Sequence, residues 1–142
     1  MSRKYLRKAL RQLVSTRAKQ RCEYFQTQAE PTAMPMEVDH IIPLALQGLT
    51  EENNLCLACS YCNDAKNDRI AGLDPESGEY VALFNPRTQR WKEHFEWSVN
   101  GEYLIGLTPT GRATILSLNL NRPELVRGRR VWVKAGSHPP AD

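Results

Sequence analysis

The sequence predicts a single α+β domain, on three observations. Its 142 residues suit one hydrophobic core. Residues 3–20 repeat apolar side chains at helical spacing, and strand-like stretches bounded by turn residues occur at 36–42, 80–84 and 95–105. Hydrophobic residues are 41% and charged residues 25% of the chain, close to the globular average, which excludes a disordered, collagen-like or coiled-coil protein.

Each element follows from local chemistry. Tyr5, Leu6, Ala9, Leu10, Leu13 and Val14 line one side of a helix over 3–20, in a stretch free of Pro and Gly, and its polar side is mostly basic. Residues 26–36 have loop composition. Met36 to Ile42 reads as a strand broken by Pro43. A second loop, with Gly48 at its centre, reaches Asn53-Asn54, and Leu55-Cys56-Leu57-Ala58 is a short apolar segment. A short helix is expected from Asn63 to Ile70, stopped near Gly72.

Further on, Asp74-Pro75-Glu76-Ser77-Gly78 is a turn and Tyr80–Phe84 a strand. Asn100-Gly101 joins 95–99 to 102–105 as a hairpin. Residues 112–120 fit helix or strand. Pro123 opens a last helix to about Val133, and 135–142, with His138, reads as a flexible tail. His94, within Trp91-Lys92-Glu93-His94-Phe95, is expected in the core or an interface.

No apolar run approaches the ~20 residues of a membrane helix, and no signal-peptide core of ~7–15 apolar residues follows Met1-Ser2-Arg3-Lys4, so a cytoplasmic protein without a membrane partner is expected. The net charge of +3 hides a segregation. Every charged residue up to Arg21 is basic, no Lys or Arg occurs between Arg21 and Lys66, and basic residues return at Arg69, Arg87, Arg90, Lys92, Arg127, Arg129 and Arg130. Basic ends around an acidic middle suit a polyanion partner and a divalent cation.

Three of the four cysteines form Cys56-x2-Cys59-x2-Cys62, and Cys22 stands far upstream. In a reducing compartment a disulfide framework is disfavoured, which leaves metal binding or core packing. Neighbouring strand residues point to opposite faces, but at a strand end before Pro43 the turning backbone lets Asp39 and His40 reach one site. Asp39 offers a hard oxygen to an ion such as Mg²⁺, and His40 an imidazole suited to proton transfer. Asn63 adds an amide oxygen, and Lys66 follows one helical turn later.

The ordered set Val38-Asp39-His40-Ile41-Ile42-Pro43, Asn54-Leu55 and Cys59-Ser60-Tyr61-Cys62-Asn63-Asp64-Ala65-Lys66 resembles the HNH endonuclease family, over about residues 17–72. Leu83-Phe84-Asn85-Pro86-Arg87 is similar to the C-terminal extension of a bacterial HNH subgroup. The resemblance implies a ββα-metal finger over 21–72, behind a basic N-terminal helix at 3–20 and ahead of a mixed α/β extension at 73–134, all in one domain over 1–142. It implies that Asp39 and Asn63 hold a catalytic Mg²⁺, Mn²⁺ or similar ion, that His40 is the general base, that Asn54 orients the base and its loop, and that Lys66 stands beside the phosphate.

Many relatives also carry a structural zinc on two Cys-x2-Cys pairs. Here Cys59 and Cys62 form one pair, but Phe25 stands where Cys22 needs its partner, so Cys22, Cys59 and Cys62 would supply three ligands of four. Cys56 is a possible substitute or a core residue, and the apolar extension with Trp91, Trp97 and Trp132 can make zinc optional. The expected function is metal-dependent hydrolysis of DNA phosphodiester bonds, with basic residues of the first helix and of 127–130 on the backbone and RNA as a further possible substrate. The alternative is a non-catalytic nucleic-acid-binding module that retains the finger.

Overall fold

A computed structural model describes residues 7–141. Arg3, Lys4, Tyr5 and Leu6 of the expected first helix, and Asp142 of the expected tail, lie outside that range. Within it, α1 runs Lys8–Arg17 and buries Val14. That side chain packs with Ala18, Leu55 and Leu57, and Leu10 and Val38 lean on the cluster. The Arg17 guanidinium donates to the Leu55 carbonyl and ties the helix end to the sheet.

After α1 the chain makes a knuckle. Lys19, Gln20 and Gln26 all have positive φ, Gln26 N donates to Cys22 O at 2.7 Å and Cys22 N to Thr27 O at 2.9 Å. A single helical turn, α2 (Ala29–Thr32), leads to β1 (Met36–His40), which pairs antiparallel with β2 (Leu55–Cys59) in the register Glu37 to Ala58, Asp39 to Cys56 and His40 to Leu55. Every residue of β2 is buried, because both faces are covered. Leu55 and Leu57 face α1, while Cys56 and Ala58 belong to the main core.

The next helix, α3, spans Ser60–Lys66. It starts three residues before the expected Asn63, because Cys59 caps it: the thiol accepts the Cys62 N–H. It ends at Asn67, whose φ of 52° leaves the helical region. Gly72 therefore stops no helix and sits in β3 (Ala71–Leu73), paired with β4 (Tyr80–Ala82).

The turn between β3 and β4 is built on Asp74. Its carboxylate accepts from the N–H groups of Glu76 and Ser77 and takes both ends of the Arg112 fork, at 2.9 and 3.0 Å. A short α4 (Trp91–His94) precedes β5 (Phe95–Trp97), which pairs with β6 (Leu104–Gly106) around Asn100-Gly101 as expected. The ambiguous stretch 112–120 is helical: α5 covers Pro109–Leu118, with Thr108 as its cap and Pro109 at its first position. Gly111 lets α5 approach α4, since a Cβ there would lie 2.1 Å from the His94 carbonyl oxygen. The last helix, α6, runs Pro123–Lys134.

The core joins finger to extension. Cys22, Tyr24 and Phe25 of the knuckle share one cluster with Phe84, Phe95, Leu104, Leu118 and Leu120. Trp91 Nε1 donates to the Tyr24 carbonyl at 2.8 Å, and Arg87 forms an ion pair with Glu23, whose other oxygen accepts Leu57 N at 2.8 Å. Mixed helices and small antiparallel sheets make this an α+β fold, with a ββα finger formed by β1, β2 and α3. Among the described residues no helix is long and apolar enough to cross a membrane.

Two expectations are corrected. Arg129 is 0% exposed and does not join a DNA-facing basic cluster: its guanidinium donates to the Leu120 and Glu102 carbonyls and to Asn121 Oδ1. His138 is only 5% exposed and packs edge-on against Trp97, ring centroids 4.4 Å apart, so this part of the C-terminus is folded down. His94 is half-buried, with Nδ1 2.6 Å from Thr108 Oγ1.

Candidate active site

Alternation along β1 puts Glu37 and Asp39 on the face turned away from α1. Spacing along α3 puts Asn63 and Lys66 on one side of that helix. The two elements meet rung by rung: Asn63 Nδ2 donates to Glu37 Oε1 at 2.6 Å, and Lys66 Nζ lies 3.1 Å from Asp39 Oδ2. Asn63 thus sits one rung from Asp39, a step of about 4.5 Å along the helix. Its Oδ1 is buried and has no hydrogen-bond partner among the described residues.

Asp39 is 1% exposed and Lys66 2%. A buried carboxylate is costly unless compensated, and here Lys66 and the Tyr24 hydroxyl, which donates to Oδ2 at 2.8 Å, provide the compensation. The expected lysine beside a phosphate is therefore held inside, where Nζ also donates to the His40 carbonyl at 3.1 Å. Cys56 lies across the pair from Asp39, its sulfur 3.8 Å from Oδ2 and 3.6 Å from the Tyr24 oxygen. Burial, then the Asp39 charge, push the Cys56 thiol well above its ordinary range, so it remains protonated. Burial likewise raises the Tyr24 phenol.

His40, at the end of β1, is 3% exposed, with Nε2 2.9 Å from Thr50 Oγ1. The loop that follows is fastened by Asn54. Its Oδ1 accepts Ile42 N at 2.9 Å, and its Nδ2 donates to Ile42 O at 3.0 Å and Leu49 O at 2.8 Å. Gly48 belongs to the same clamp, because a Cβ there would lie 1.7 Å from the Ile42 carbonyl oxygen. Asp39 and His40 share the lining of a small cleft of about 80 Å³ with Pro43, Leu44, Asn67 and Asp68.

Strand alternation alone would separate Asp39 from His40; the strand end brings both to that cleft. Tyr24, Glu37, Thr50 and Cys56 were not expected here. Cys56 was legible in principle, since pairing β1 with β2 puts it opposite Asp39. Tyr24 was not, because only the folded knuckle brings it near.

The remaining thiols form a separate group. The sulfurs of Cys22, Cys59 and Cys62 all lie within 4.8 Å of one another, close enough to hold a zinc ion. Hydrogen bonds from the Cys22 and Cys62 thiols pull Cys59 down to about 4, making it the thiolate of the group. Burial raises Cys22 and Cys62. Phe25, fully buried in the same cluster, brings no ligand atom, and Cys56 is turned to Asp39. Among the described residues the donors thus fall one short of a closed four-ligand zinc site.

For a hard divalent ion the donor set is better suited: a carboxylate at Asp39 and the unpartnered amide oxygen of Asn63 are the oxygen ligands that Mg²⁺ prefers. No curated protein and no solved structure matches the chain. Residues 20–69, which hold the knuckle, both finger strands and α3, match the family model for HNH endonuclease.

Proposed function

We propose that the finger is the catalytic centre of a divalent-metal-dependent endonuclease acting on DNA. The observation that carries this reading is the convergence of Asp39 and His40 on one cleft, beside a helix whose Asn63 keeps a buried oxygen without a partner. His40 is the general base: it takes a proton from water, the resulting hydroxide attacks phosphorus, and the bond to the 3′ oxygen breaks, that oxygen taking up a proton from solvent, which leaves 3′-hydroxyl and 5′-phosphate ends. A divalent ion held by Asp39 and Asn63 would supply positive charge beside the phosphate. Lys66 already supplies charge to Asp39, so ion and ammonium compete for that carboxylate. Asn54 holds the loop that begins at His40. Exposed Arg7, Lys8 and Arg11 on and before α1 contact the DNA backbone without reading sequence.

The alternative, a binding module without activity, is favoured by one observation: Lys66 offsets the buried Asp39 charge without an ion. A supercoiled-plasmid nicking assay separates the two, with RNA as a parallel substrate. Cleavage with Mg²⁺ or Mn²⁺, loss with EDTA and a fall of about 10²–10⁴-fold in His40→Ala, with DNA affinity retained, are expected of the nuclease. His40→Ala cutting as fast as the parent chain would remove the base from His40, and no metal-dependent cutting by either protein would leave the binding module.

A further inference from the structure

The extension builds a second, larger cleft against the finger. It encloses about 290 Å³, and its lining includes Ile41 and Ile42, which follow the base in sequence, Lys66 beneath Asp39, and Phe84, Asn85 and Gln89 of the extension. Its extension wall is stiff. The 85–89 turn closes on itself, with Gln89 N donating to Asn85 O at 3.0 Å and Arg87 N to Asn85 Oδ1 at 2.9 Å. Arg87 is pinned to Glu23 of the knuckle, and Phe84 N donates to Thr114 Oγ1 at 2.9 Å. Gln89 is also oriented: its Oε1 accepts the Asn85 N–H at 2.9 Å, which leaves the NH₂ edge as the part it can offer to a ligand.

We propose, building on the nuclease reading, that this cleft receives one unstacked nucleobase of the strand being cut, next to the scissile phosphate. Lys66 and the segment just after His40 belong to both the catalytic centre and the cleft, so a nucleotide whose phosphate lies at His40 has its neighbouring base within reach. The cavity is at the low end of the roughly 300–1,000 Å³ of small-molecule sites, enough for a single ring system and too small for a base pair with its backbone. Apolar walls accept the faces of any base, and the fixed Gln89 amide donates to an edge acceptor, which every base carries. Unstacking is costly in a perfect duplex and least so where the base is mismatched or unpaired. The substrate class is therefore DNA carrying an unpaired nucleotide at the cut.

The test uses the full chain with Mg²⁺ and a series of duplexes in which a single mismatch is stepped across the mapped cut. A mismatch adjoining the cut should raise kcat/KM at least tenfold over the perfect duplex, and an abasic nucleotide at that position should cancel the gain. Gln89→Leu, shown to be folded by its unfolding midpoint, should lose most of the gain. With His40→Ala, 2-aminopurine at the same position should change its fluorescence on binding, and at distant positions it should not. Cleavage that ignores mismatch position, with a position-independent fluorescence change, would overturn the base site and leave the nuclease standing. No cleavage of any DNA would overturn the nuclease reading itself, and this one with it.

Discussion

Asn54 makes three hydrogen bonds to the backbone of the 42–49 loop, two as donor and one as acceptor. An aspartate of the same shape keeps the acceptor and loses both donors, so the two halves of the clamp can be separated by substitution. Asn54→Ala should destabilise the chain by about 1–2 kcal/mol, the lower part of the usual cost of stranding polar groups because these backbone groups are only part-buried, and Asn54→Asp by a comparable amount. Urea unfolding checks this. Because the loop starts at the end of β1, hydrogen exchange at 41–49 should quicken in both variants more than exchange in β2. Uniform quickening would mean the clamp supports the whole fold and not the loop.

At the scale of elements, the last helix is fixed by a buried cation. Arg129 on α6 donates to Leu120 and Asn121 in the turn after α5 and to Glu102 ahead of β6. Asn121 in turn exchanges two 2.8 Å hydrogen bonds with the backbone of Leu104. Burial lowers the guanidinium to about 10, which still leaves it charged at neutral pH, and the guanidinium carbon also lies 5.4 Å from the centre of the Phe25 ring. Arg129→Met keeps roughly the same volume but strands the Leu120 and Glu102 carbonyls, while Asn121 Oδ1 retains the Leu104 N–H. A loss of about 2–4 kcal/mol is expected, read as a lowered midpoint in chemical denaturation. A neutral outcome would mean that shedding a buried charge offsets the lost hydrogen bonds.

For the molecule as a whole, the C-terminus adds a pH dependence. His138 is buried against Trp97 and Trp132, and burial, then the nearby Arg129 charge, lower it from 6.5 to about 4. The unfolded chain therefore takes up its proton first as pH falls, so stability is full above about pH 6.5 and declines toward pH 4. The decline attributable to this residue is up to about 3 kcal/mol. In His138→Phe that part of the slope should vanish while stability at pH 7.5 is kept or raised, since Nε2 is buried without a partner among the described residues of the parent. Thermal unfolding of both proteins across pH 4–8 decides it, and parallel curves would count against the burial argument.

The reach of sequence patterns differs along the chain. Apolar spacing in α1, the Asn100-Gly101 turn and Pro123 at a helix start are local signals, and the structure follows them. The start of α3 was misplaced because a cysteine seldom signals a cap, yet here the Cys59 thiol serves as one. Arg129 read as a surface cation because charge is usually solvated, and burial is decided by what other elements wrap around it.

What the sequence determined by itself is the ordered set of chemical groups and the local elements that carry them: a carboxylate and an imidazole at a strand end, an asparagine and a lysine one helical turn apart, thiols at fixed spacing. Those depend on neighbours a few residues away. Only the tertiary structure decided the pairings, with Lys66 on Asp39, Asn63 on Glu37, and Tyr24 and Cys56 closing the buried carboxylate in. The reason is physical: a buried charge takes whichever partner the packing of distant segments brings within about 3–4 Å, and that distance is set by how strand, helix and knuckle lean on one another.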